Sequence, residues 1–188
     1  MQLENNFKVP CAPAEAWEIL IDVERIVPCL PGAILIEVID EVSYKGKVDV
    51  KLGPVKLTFH GDVRFVERDP KKYYAIIEAE GREARGRGSA QASIKFKLDD
   101  ADYGSNVSVM TDLNLIGPVA QYGRSQGIVE AVSEELINQF SSCLEQKVIR
   151  GNNVKQSLEK SVSVSGIIVL FRSLKRWIYN ILNVGPSR

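Results

Sequence analysis

Residues Ile116 to Val148 read IGPVAQYGRSQGIVEAVSEELINQFSSCLEQKV, and within them the hydrophobic period changes. Up to Leu115, apolar residues fall at every second position. Beyond Pro118 they fall at Tyr122, Val129, Val132, Leu136, Phe140, Cys143, Leu144 and Val148, the spacing of one helical face. This predicts a single amphipathic helix of about 30 residues from Val119, roughly 45 Å long at the α-helical rise. No helical segment of matching length precedes it, so its apolar stripe has to lie across a sheet. The expected fold is therefore α+β: a curved antiparallel sheet wrapped on a long C-terminal helix.

The chain upstream supplies the sheet. Leu3, Asn5, Phe7 and Val9 alternate with polar residues and read as a first strand. Pro10 ends it, and Pro13 suits the first turn of a helix running to about Ile21, with Trp17, Leu20 and Ile21 inward. Asp22 can cap a second short helix that Pro28 stops. Six strand patterns follow, at 33–42, 44–52, 55–65, 73–80, 90–98 and 107–115. The short turns between them, such as Gly53-Pro54 and Asp69-Pro70-Lys71, predict a meander with one apolar and one wet face, seven strands in all. The Gly- and Arg-rich stretch Gly81–Gly88 is expected to be a mobile connection.

Charge divides the chain. Lys+Arg and Asp+Glu number 24 each, but five of the basic residues and none of the acids lie from Lys160 onward. The preceding body is thus mildly acidic, which argues against a nucleic-acid partner, and the tail suits an anionic surface. Cys11, Cys29 and Cys143 form an odd set without CxxC or zinc-ligand spacing and are expected to be buried thiols in a reducing compartment. The opening residues, Met1-Gln2-Leu3-Glu4-Asn5-Asn6, carry no basic or apolar leader region, so a cytoplasmic location is expected.

Several short elements narrow the reading. Pro31-Gly32-Ala33, Val50-Lys51-Leu52-Gly53-Pro54-Val55-Lys56, Gly61, Gly88-Ser89-Ala90 and Ile116-Gly117-Pro118-Val119-Ala120-Gln121-Tyr122-Gly123 together resemble the G-subunit family of carbon monoxide dehydrogenase. That family has the helix-grip fold of the START and Bet v 1-like (SRPBCC) superfamily, and the resemblance covers roughly residues 1–147. The Gly81–Gly88 loop departs from it by carrying Arg82, Arg85 and Arg87. The resemblance implies a hollow between sheet and helix that takes a hydrophobic molecule. It further implies an association with a molybdenum-containing carbon monoxide dehydrogenase or related hydroxylase, membrane anchoring and a respiratory quinone as ligand. No catalytic residues, metal or resident cofactor are expected.

The residues add little catalytic chemistry. His60, the only histidine, falls on the polar face of its strand with Lys56, Thr58 and Asp62. Asp99, Asp100 and Asp102 lack the spacing of a calcium loop. Neither Gly86-Arg87-Gly88-Ser89 nor Gly123–Gly127 makes a phosphate-binding loop. The candidate ligand wall is the apolar face of the sheet, with Val50, Leu57 and Phe59, then Ile77, Ile94 and Phe96, then Val109, Thr111 and Leu113. The long helix adds Tyr122, Gln126 and Val129. All of these could equally be plain core. Thr111 and Gln126 are polar at inward positions, so they or Tyr122 are expected to hydrogen-bond a ligand carbonyl.

The domain is expected to end at residue 149, followed by a flexible linker over 150–166 and a basic amphipathic helix over 167–184. That helix is apolar at Ile167, Leu170, Phe171, Leu174, Trp177, Ile178, Ile181 and Leu182, with Arg172, Lys175 and Arg176 on the other side. Spanning a bilayer would bury three charges at ~2.5–3.5 kcal/mol each. Lying in the interface keeps them at the headgroups, where each gains ~1 kcal/mol. The expected location is the inner face of the cell membrane, although the helix could instead pack on protein. Three functions remain open: a lipophilic-ligand carrier between membrane and enzyme, a recruitment or assembly factor without a ligand, and a small enzyme on the same fold.

Overall fold

β1 (Gln2–Val9) keeps the alternation of its sequence, with Leu3, Phe7 and Val9 buried and their neighbours facing water. The structure, a computed structural model, describes residues 1–123 and 126–149. The linker and the tail helix expected at 150–166 and 167–184 lie outside the described residues.

α1 (Pro13–Leu20) starts on its proline and buries Ala16, Trp17, Ile19 and Leu20. α2 (Val23–Ile26) is capped by Asp22, whose carboxylate accepts from the Arg25 N–H at 3.2 Å. A 3-10 turn, Val27–Cys29, leads to β2 (Ala33–Val38), β3 (Ser43–Leu52) and β4 (Val55–Asp69). β5 (Tyr74–Glu83), β6 (Ser89–Ala101) and β7 (Gly104–Ile116) complete a single antiparallel sheet in the order β1-β7-β6-β5-β4-β3-β2. The fold is thus a helix-grip fold with two short helices between the first strand and the meander.

Glycine lets this sheet bend. Gly46, Gly61 and Gly81 stand opposite one another on β3, β4 and β5. A Cβ on Gly61 would lie 1.9 Å from the Glu80 carbonyl oxygen and 2.6 Å from the Gly81 Cα. Adjacent backbones approach too closely there for any side chain, so this row is a bend line across the sheet.

The expected long helix is observed on both sides of residues 124–125, which lie outside the described residues. Gly117, at φ 82°, turns the chain out of β7 into a 3-10 turn, Gly117–Val119. α3 (Ala120–Gly123) and α4 (Gln126–Cys143) follow, and Leu144–Ile149 ends the run in wider, π-type turns.

Two clusters form the core. The larger joins α1 and the end of α4 to the strands: Trp17 packs on Phe96 at 5.8 Å, and Phe140 meets Phe7 edge to face at 5.6 Å. The smaller holds Leu52, Leu57, Phe59 and Val119 at the other end of the sheet.

Two expectations need correction. Cys29 and Cys143 are joined in a disulfide, not free thiols. They are 114 residues apart, so spacing carried no sign of the pairing, and only the return of α4 to the 3-10 turn creates it. Cys11 remains a thiol, pushed up to about 11 by burial and by Glu15 against the opposing charge of Arg25. The Gly81–Gly88 stretch is also not a mobile connection. Its first three residues continue β5, and the buried Glu83 carboxylate organises the rest. That carboxylate accepts from the N–H groups of Arg85 at 2.8 Å and Arg87 at 3.2 Å, and from the Arg87 guanidinium at 2.7 Å.

Candidate ligand-binding cleft

α4 rests chiefly on β1, on β3 and on the 3-10 turn before β2. On the β1 side the seat is polar, and the Asn5 amide donates to Ser133 Oγ at 2.8 Å. The disulfide fixes the end of α4 to the turn. Between these supports the concave face of the sheet is not filled. Val63, Ala79, Ala92 and Leu113 form one inward row across β4 to β7, and Ile77, Ile94 and Thr111 the next; all are half-buried, whereas both ends of the sheet are fully packed. Inward apolar side chains that keep solvent exposure line a space, because close-packed interiors leave none.

Two clefts flank α4. The one against β1 measures about 520 Å³ and is lined by Gln2, Glu4, Asn5, Asn6 and, from the helix, Glu130, Ser133, Glu134 and Asn138 with Ile137. Polar groups this dense do not suit an apolar guest. The other, about 670 Å³, opens between α4 and the β2–β3 edge. Pro31, Val50, Ile128, Ala131, Val132 and Leu136 make its walls apolar, while Asp49, Lys51, Lys56, Glu135 and Gln139 stand among them. A concave, mostly apolar site with a few polar groups is the usual form of a small-molecule pocket.

Gly32 helps to shape this cleft. It has φ 75°, and a Cβ there would meet the Asp49 carbonyl at 2.3 Å. Its own carbonyl accepts from the Asp49 N–H at 3.0 Å, so Pro31-Gly32 can fold tightly against β3 only without a side chain. Hydrogen bonds from the Lys56 ammonium and the Thr58 hydroxyl lower the Asp49 carboxyl from its ordinary value.

The expected wall residues divide. Leu57, Phe59, Phe96 and Val129 are buried, the first three within the two core clusters. Val50, Ile77, Ile94, Val109, Thr111, Leu113 and Tyr122 are half-buried, and of the whole set Val50 alone lines the 670 Å³ cleft. Thr111 lies inward beside Ile94, and its hydroxyl has no hydrogen bond among the described residues. The Gln126 side chain lies outside the described residues. Sequence reasoning missed Pro31, Gly32, Ile128 and Ala131. Ile128 did carry a signal: it is an isoleucine off the apolar stripe of its helix, and it is 47% exposed.

His60 is exposed on the outer face of β4. Among the described residues no three His, Cys, Asp or Glu side chains gather as a metal site. No described helix is long and apolar enough to cross a membrane.

Comparison with known proteins places this geometry. Residues 6–149 match the family described as the G subunit of carbon monoxide dehydrogenase (CoxG). No protein of curated function matches the chain in sequence. Among solved structures, a conserved protein from Geobacillus kaustophilus superposes with a TM-score of 0.66 at 17% identity, covering 78% of this chain and 97% of its own. The Zhui aromatase/cyclase from Streptomyces sp. R1128 gives 0.54 at 14% identity, covering 79% and 95%. A protein from Thermus thermophilus gives 0.55 at 13%, covering 76% and 95%. At these identities the structural matches speak for the fold alone.

Proposed function

The chain belongs to the CoxG family, that of the carbon monoxide dehydrogenase G subunit, and on that premise we propose that it is a non-catalytic carrier of a lipophilic molecule. The observation that carries this reading is the unfilled concave face of the sheet beside an apolar cleft of about 670 Å³. The ligand class is a respiratory quinone, a flat apolar ring with carbonyl acceptors. Thr111, and with it Tyr122 and Gln126, would donate to a carbonyl, since polar groups among apolar neighbours need partners. The basic segment 167–184 would lie in the inner face of the cell membrane, with 150–166 as a tether. A molybdenum-containing hydroxylase would receive or supply the ligand.

The test uses the full chain. After purification it is extracted with organic solvent, the small molecules are identified by mass spectrometry, and a short-chain quinone is titrated by equilibrium dialysis. A copurified quinone or saturable loading supports the carrier. Thr111→Val together with Gln126→Leu should then weaken binding about tenfold, at ~1 kcal/mol per hydrogen bond less compensation by water. Unchanged affinity removes these anchors. A chain that is empty and cannot be loaded removes the carrier and leaves a recruitment factor.

A further inference from the structure

Basic residues without a salt bridge mark one end of the sheet, while Arg68, Lys71, Lys72 and Lys97 stand at the other. On its outer face Lys47, His60, Arg82 and Ser89 form a cross-strand row between Ile34 and Ile116. Lys51 and Lys56 stand beyond this row on the β3–β4 hairpin, and Arg85 in the turn after β5. Two carboxylates at this end are engaged, Asp49 with Lys56 and Glu83 with Arg87, each at 2.7 Å, and Glu135 of α4 lines the cleft with Lys51 and Lys56. Lys47, Lys51, Arg82 and Arg85 form no salt bridge among the described residues.

The opposite end has the other sign. There Asp69 and Asp99 pair with Lys72 and Lys97, which leaves the four acids Asp40, Glu41, Asp100 and Asp102 beside Arg68 and Lys71. The body is therefore polarised along its strands.

Exposed apolar side chains stand at both ends, Val38, Ile39, Val66 and Tyr103 at the acidic one and Ile34, Ile116 and Ile128 at the basic one, so charge is what sets the basic end apart. Ile34 is 52% and Ile116 46% exposed, at the two sides of the basic row. Ile128, 47% exposed, lines the 670 Å³ cleft together with Lys51 and Lys56. Exposed isoleucines among unpaired basic residues fit a surface with an anionic layer over an apolar one.

We propose that this end of the body docks on an anionic lipid bilayer, with the cleft opening toward the lipid. The proposal rests on the carrier reading only for the purpose of the contact, because it makes the exchange of a lipophilic molecule direct. The face itself is argued from charge and exposure. It gives the body an orientation that a tail on a tether would not impose.

The experiment places a tryptophan reporter in the full chain carrying Trp177→Phe, and mixes it with vesicles of equal phosphatidylglycerol and phosphatidylcholine with brominated acyl chains. Trp17, 2% exposed in the core, supplies a constant background. Ile34→Trp and Ile116→Trp should be quenched, and Tyr103→Trp, at the acidic end and 95% exposed, should not. Lys51→Glu with Arg85→Glu, added to Ile116→Trp, should lower the vesicle partition coefficient read from a lipid titration of that quenching at least twentyfold, at roughly fivefold per basic residue lost. Equal quenching at all three positions, or none at Ile34→Trp and Ile116→Trp, would overturn the proposal. So would a doubled sedimenting mass in the absence of lipid that shields Ile34→Trp, since the face would then belong to a second copy. Short-chain quinone binding is measured on the same proteins. If it is absent while the reporters at the basic end are quenched, the carrier reading fails and the docking face stands.

Discussion

The bond between Cys29 and Cys143 closes a loop of 114 residues, most of the folded body. Loop-closure entropy for that size stabilises the fold by about 5 kcal/mol at 25 °C. In a body of this length each kcal/mol shifts the melting temperature by about 2–4 °C, so reduction should lower it by roughly 10–20 °C. The effect should also be local. Cys29 lies two residues before Pro31, and Cys143 one helical turn after Gln139, and both of those residues line the apolar cleft. Opening the bond frees one end of the cleft. The assay is calorimetry of the oxidised chain, of the chain with a dithiol reductant, and of Cys143→Ser, with hydrogen exchange followed over α4 and β2. The reduced chain and Cys143→Ser should melt together, Cys143→Ser should ignore the reductant, and exchange should rise in 135–143. Melting temperatures of the oxidised and reduced chains within about 3 °C, or three thiols titrating in the native protein, would refute the reasoning.

Other perturbations test separate parts of the structure. Gly61→Ala drives a Cβ to 1.9 Å from the Glu80 carbonyl oxygen, and neither backbone can yield without loss of ladder bonds, so a loss above about 2 kcal/mol in urea denaturation is expected; Gly53→Ala meets no atom within 4 Å and pays only for φ 59°, roughly 1–2 kcal/mol. The Arg87 guanidinium, with the N–H groups of Arg85 and Arg87, holds the Glu83 carboxyl at about 2 against the burial that would raise it. A lowered carboxyl stabilises the fold above its ordinary range near ~4.3, and that gain is lost as pH falls through the lowered value. The melting-temperature gap between wild type and Glu83→Gln should therefore be constant above about pH 5 and shrink steadily toward pH 2; a gap independent of pH would deny the pair its role. A double-mutant cycle on Asn5→Ala and Ser133→Ala, whose side chains bond at 2.8 Å, should show a coupling of about 1 kcal/mol, and zero coupling would mean that α4 is held on β1 by packing alone.

The alternation in β1 and in the meander, the capping Asp22 and the proline that starts α1 are local signals, and each is obeyed in the structure. The candidate wall was only half legible for the same reason. Alternation tells which side chains face inward, and Leu57, Phe59, Ile77, Ile94, Phe96 and Thr111 all do. It does not tell how far the helix stands from them. Leu57, Phe59 and Phe96 ended in solid core, while Ile77, Ile94 and Thr111 kept their exposure.

By itself, then, the chain determined its strands, its short helices, the apolar faces and, through its Pro-Gly and Val-Lys-Leu-Gly-Pro-Val-Lys elements, its family. Those features depend on neighbours within a few residues, where backbone sterics and hydrophobic period act. Tertiary structure alone decided the Cys29–Cys143 bond and the cleft that Pro31, Val50 and Ile128 share. It also decided the row in which Lys47 and Arg82 meet across three strands. Each of these joins positions tens of residues apart, and the register of a sheet and the seat of a helix are set by the packing of the whole body.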